Sequence, residues 1–126
     1  MNLETSTEML LHDDGRLLPA IQPVIIHASA HAGLSEAGVQ DLADAAADAC
    51  KEALSLAGKN GNTDPVVKVT INSFADRVEV AIEHKGESCA NHGRRNVDRV
   101  DCDVRGGISR TVLVKYSAAS KFEHRS

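Results

Sequence analysis

The feature that most constrains this chain is a change of hydrophobic period. Up to Gly58 the apolar residues recur at helical spacing, and beyond Pro65 they alternate with period two. A chain written this way builds helices first and a sheet afterwards. In "LSEAGVQDLADAAADACKEALSLAGKNGN", Val39, Leu42, Ala43, Ala46, Cys50, Ala53, Leu54 and Ala57 make one apolar stripe. Asp41, Asp44, Asp48 and Glu52 are expected on the opposite, solvated face. Ser35 suits the N-cap, with Glu36 in the first turn, and Gly58 with "KNGN" ends the helix.

An earlier helix is expected in "LLPAIQPVIIHASAHAG", where Leu18, Ile21, Ile25, Ala28 and Ala32 share one face. Pro23 requires that this helix begin near it or kink there, and Gly33 suits its stop. "EMLLH" reads as a possible edge strand, closed by the turn signal "DDGR".

The period-two half reads as two hairpins. Val67, Val69 and Ile71 alternate with polar neighbours, "NSFADR" turns the chain, and Val78, Val80 and Ile82 return it. Val100, Cys102 and Val104 then alternate with Asp101 and Asp103, "RGG" turns, and "ISRTVLVKY" closes the sheet. The polar loop "KGESCANHGRRN" lies between the hairpins. Half-polar strands need cover on one face. The expected architecture is a two-layer α/β (α+β) sandwich, with amphipathic helices on one face of an antiparallel or mixed sheet. Residues 1–116 form a single domain, and 117–126 a loosely held tail.

Composition narrows the function classes. The chain has 126 residues, no Trp, one Tyr and two Phe, so its core must be aliphatic. A net charge of −4, without a basic stripe, speaks against nucleic acid or an anionic membrane as partner. No apolar run reaches membrane-spanning length. The opening "MNLETSTEML" has neither a basic start nor a long apolar run, so no leader is expected. Three cysteines without CxxC spacing do not make a disulfide framework, and a reduced, cytoplasmic protein is the simplest expectation.

The element order and part of the text resemble the small anti-sigma factor serine kinases, and their regulatory relatives, of the histidine-kinase-like ATPase superfamily. "AGLSEAGVQDLADAAADA" echoes the start of that family's second helix. "DRVDCDVRGGISRTVLVKY" is similar to its closing hairpin, where a Gly-containing turn is followed by a Thr and an apolar strand. The resemblance covers about residues 3–116. It implies a histidine-kinase-like ATPase fold with a shortened lid region.

In that family the second helix carries Glu-x-x-x-Asn, a general base and a ligand to the magnesium of ATP. The matching positions here hold Asp48 and Glu52. Asp48 keeps a carboxylate with shorter reach, and Glu52 adds charge where the family has a neutral amide. The family's adenine box, Asp-x-Gly-x-Gly, is matched by "HKGES", which places His84, Gly86 and Ser88 at its three positions. The phosphate cradle is reduced to "NHGRRNV", where Arg95 stands for the second Gly and no room is left for a lid and helix. With all three boxes altered, the expectation is a regulator that binds a sigma factor, an anti-sigma antagonist or a second copy of itself, with no cofactor. In such proteins the first helix and nearby loops often form the interaction surface.

Two other readings stand beside it. A divergent serine kinase would use Asp48 as base, Glu52 for Mg²⁺ and His84 for adenine, with ATP and Mg²⁺ as cofactors. A metal or redox module would draw on His84, Cys89, His92 and Cys102, although their spacing fits no common framework. His27 and His31 have a spacing that can share a metal but read as exposed helix residues. Cys50 belongs to the apolar stripe. Arg94 and Arg95 read as a solvated loop that can bind phosphate or carboxylate, or lower the pKa of Cys89.

Overall fold

A computed structural model describes residues 3–12, 18–30, 32–59, 66–86 and 97–117. Strand β1 (Leu3–His12) is followed by a short 3-10 turn, helix α1 (Ile21–Ala28) and helix α2 (Glu36–Lys59). Then come β2 (Val66–Phe74), β3 (Arg77–Lys85), β4 (Arg99–Arg105) and β5 (Ile108–Tyr116). The five strands form one sheet in the order β1-β2-β3-β5-β4, and every neighbouring pair is antiparallel. Both helices pack on one face. The result is an α+β two-layer sandwich with β1 and β4 as edges.

Local chemistry explains these elements. The backbone N–H of Gly38 donates to Ser35 Oγ at 3.0 Å, and Val39 N–H to Ser35 O at 2.9 Å, so Ser35 caps α2. Pro23 sits in the first turn of α1, where backbone N–H groups have no helical partner to lose. α1 ends at Ala28, so Ala32 is buried beyond the helix, and Gly33 takes φ +73 in the connecting turn. Gly106 and Gly107 take φ +58 and +77 between Arg105 and Ile108, the conformation that a tight hairpin of right-twisted strands favours.

The core is aliphatic. Val67, Val69 and Ile71 of β2 and Val78, Val80 and Ile82 of β3 are fully buried against Leu42, Ala46, Ala49, Cys50 and Ala53 of α2. Leu11, Ile21 and Ile25 complete it from β1 and α1. The alanines keep α2 thin on its inner side and also favour the helix intrinsically.

Two expectations change. β4 was expected to be half-buried, yet it is exposed along nearly its whole length, with Val100 alone partly covered. α2 lies over β2, β3 and β5 and stops short of the β4 edge. Asp41 was expected to face solvent with the other acids. It is half-buried, as is Glu52, and pairs with Lys115 of β5 at 3.7 Å. The turn "DDGR" and the tail beyond Ser117 lie outside the described residues.

Candidate functional site

The Asp41–Lys115 pair fixes how α2 lies on the sheet. Lys115 is near the C-terminal end of β5, so the N-terminal part of α2 lies over that end of the strand. Glu52 is about three helical turns beyond Asp41 on nearly the same stripe, about 16 Å along the axis. Four residues back along β5, about 14 Å, stands Thr111. Ser109, Thr111 and His84 face the helical layer near the other end of β5. Glu52 is half-buried, whereas Asp48 is exposed and, among the described residues, makes no hydrogen bond or ion pair.

His84 is the inward residue at the end of β3 and is only 2 % exposed. Its Nδ1 lies 2.9 Å from the backbone oxygen of Lys85. A carbonyl only accepts, so Nδ1 carries a proton, and the tautomer that this selects has its lone pair on Nε2. That Nε2 is buried without a partner, as is the hydroxyl of Thr111. In the sheet Ile82 pairs with Thr111 and His84 with Ser109, so the two orphaned atoms are diagonal neighbours on one face. Buried polar atoms without partners are uncommon and ask for a reason.

Gly86 adopts φ +129, a conformation open to glycine. Its N–H donates to Gly107 O at 2.8 Å, and its carbonyl accepts from Ser109 Oγ at 2.6 Å. Both peptide groups thus tie the end of β3 to the β4–β5 turn. They are not free to cradle an anion.

The fate of the remaining candidates follows from position. Ser88, Cys89, His92, Arg94, Arg95 and His31 lie outside the described residues. His27 is exposed on α1. Cys102 was expected to be a reduced thiol available to a metal. It is disulfide-bonded, so it has no thiolate to offer. Among the described residues no group of three metal-ligating side chains converges. Cys50 is a free thiol in the core, and burial pushes its pKa up to about 12.

Two features were not singled out from sequence. The first is the inward pair Ser109 and Thr111. Its signal was the run of polar residues at alternate inward positions of β5. The second is a groove of about 480 Å³ between the end of α1 and the start of α2, lined by Ile26, Ala30, Leu34 and Val39 with Ser29, Glu36 and Gln40. Ile26 is 43 % exposed there. Ser29 is buried, and its hydroxyl lacks a partner. Nearby, Asp44 accepts from Gln22 of α1 at 2.7 Å and from Gln40 at 2.9 Å, joining the two helices.

The outer face of the sheet is different in kind. Arg77 is held by Asp76 and Glu79 and stacks over Phe74, 3.9 Å from the ring centre. The hydrogen bond that Arg77 Nε donates to Glu79 Oε2 pushes the Arg77 pKa higher still. Arg99 pairs with Asp101, Arg105 with Asp103 and Arg110 with Glu83. Each arginine there already has its carboxylate.

The chain matches no known protein-family profile and no curated protein.

Proposed function

We propose that this chain is a bacterial regulatory protein of the anti-sigma factor type, built on a histidine-kinase-like ATPase domain and acting by protein–protein binding with little or no kinase activity. Its partner is a sigma factor or an anti-sigma antagonist, and a second copy of the chain is a further binding mode. The observation that carries this reading is the apolar groove beside exposed Ile26, on the first helix and the turn after it. The resemblance to the anti-sigma kinases points to that same surface. The nucleotide end supports it by contrast. Asp48 has no contact that would orient a base, Gly86 has both peptide groups occupied, and Glu52 puts a charge where the family has an amide. A fold can keep a binding surface after losing a site.

The test is direct binding of the purified chain to the sigma factors and anti-sigma antagonists of its source bacterium, with labelled ATP present. Saturable binding without phosphate transfer is the expected result. Transfer that Asp48→Ala abolishes would overturn it.

One observation favours a second reading, a divergent ATP-binding serine kinase. Nε2 of His84 offers a buried lone pair beside the Thr111 hydroxyl, which suits an amino donor such as that of adenine. A ligand held by the native state raises the melting temperature, by about 2.7 kcal/mol of stability at one hundred times its Kd. A shift with Mg-ATP that Glu52→Ala and His84→Ala remove supports this reading, and no shift at millimolar Mg-ATP excludes it.

A further inference from the structure

Charge is divided unequally between the two layers. Residues 18–59 hold Glu36, Asp41, Asp44, Asp48 and Glu52 against Lys51 and Lys59 alone. Asp41 is neutralised by Lys115, but Glu36, Asp44 and Asp48 are exposed and have no cation partner among the described residues. On the outer sheet face, by contrast, Arg77, Arg99, Arg105 and Arg110 are each matched within the chain. The uncompensated charge of the helical layer is therefore negative: Glu36 lines the apolar groove, and Asp44 and Asp48 follow on the same helix stripe, one and two turns beyond Gln40 at its edge. An apolar slot flanked by unpaired carboxylates selects for a ligand that is apolar on one side and cationic on the other. A helix presents both at once, through its two faces.

We propose that the groove between α1 and α2 seats a basic amphipathic helix of the partner protein. It inserts one large apolar side chain beside Ile26 and Leu34 and sets lysines or arginines against Glu36, Asp44 and Asp48. This rests on the protein-binding reading above and specifies the chemistry of the partner. The Gln22–Asp44–Gln40 hydrogen bonds hold α1 and α2 together along the groove, so the seat is formed before the partner arrives. The Ser29 hydroxyl under its floor has no partner and is available to a polar edge on the inserted side chain. The carboxylates give the contact its orientation and its salt dependence, and the apolar insertion gives it most of its affinity.

The probes are two synthetic helices of about 18 residues, long enough to be helical when bound. They share one apolar face bearing a single Trp; one has a Lys/Arg polar face and the other a Glu face. The chain has no Trp, so Trp emission reports the peptide alone. The basic peptide should bind saturably with a blue-shifted emission, and the acidic one should not. Ile26→Glu should weaken the basic peptide at least tenfold while leaving the melting curve nearly in place, because the side chain it replaces is 43 % exposed and outside the buried core. Asp44→Asn with Asp48→Asn should weaken binding severalfold and flatten its salt dependence, whereas Asp103→Asn on the outer sheet face should leave it unchanged. Equal binding of both peptides, binding of neither, or indifference to Ile26→Glu overturns the proposal. If a sigma factor or antagonist binds and Ile26→Glu has no effect on it, the seat is wrong and the functional reading stands. If the basic peptide binds at Ile26 but no such regulator does, the seat stands and the functional reading falls.

Discussion

At Thr111 a hydroxyl is fully buried with no partner, in a sheet whose other inward positions are mostly aliphatic. An unsatisfied buried hydroxyl costs about 1–3 kcal/mol. Thr111→Val keeps the shape and removes the orphan, so the melting temperature should rise by a few degrees. A fall instead would mean that the hydroxyl is bonded in solution, to water or a ligand, and calorimetry with and without Mg-ATP would separate those two. Cys50 is the opposite case, a polar atom that fits because it is neutral. Its native pKa stands near 12 against an ordinary 9.0, because burial disfavours the thiolate. The raised value contributes stability that is whole below pH 9.0 and is lost as pH rises from there towards about 12. Alkylation at pH 8 should therefore spare Cys50 in the folded chain and reach it after denaturant is added, read by intact mass. Modification of the native protein at the rate of a free thiol would contradict the burial.

Among the elements, α2 was the most legible, because its cap, stripe and stop all agree. Ser35→Ala should lose about 1 kcal/mol, the usual effect of removing an N-cap. Urea denaturation would read it as a lower midpoint with an unchanged slope. The strands β2 and β3 were legible from alternation alone, and the Gly106–Gly107 turn from its composition. β4 was legible as a strand but not as an exposed one, because Val100, Cys102 and Val104 alternate as well as any buried strand does. Alternation shows that two faces differ, but it does not show that a helix reaches far enough to cover one. Asp41 was misplaced for a related reason. It lies at the border of the stripe, where a single Lys115 from β5 decides the matter, and that partner is distant in sequence. The candidate site was legible only in part. His84, Gly86 and Glu52 could be named from local text, whereas the loss of a free peptide at Gly86 depends on Ser109 and Gly107, which only the sheet register brings to it.

For the whole molecule, a helical layer that packs on four strands of five and leaves β4 uncovered implies a gradient of stability across the sheet. The central strands β2 and β3 have neighbours on both sides and α2 above them, and their inward residues have no solvent contact. β4 has one neighbour, β5, and no helical cover, and its charged residues pair with each other in solvent, where such pairs contribute little. The amides of an exposed edge open at low free energy, while those of the core wait for global unfolding. Hydrogen exchange should therefore find residues 99–105 exchanging early and residues 67–72 and 78–84 last. Cys102 adds a second variable. Its disulfide is a covalent tether on this edge, so reduction should speed exchange in β4 and leave β2 and β3 unchanged. Uniform protection across all the strands would mean that something covers β4 in solution. In that case the profile should depend on protein concentration, as it does when a second copy supplies the cover. A concentration-independent profile with β4 fastest leaves the edge free in the single chain and the acidic helical layer as the face on which partners are to be sought.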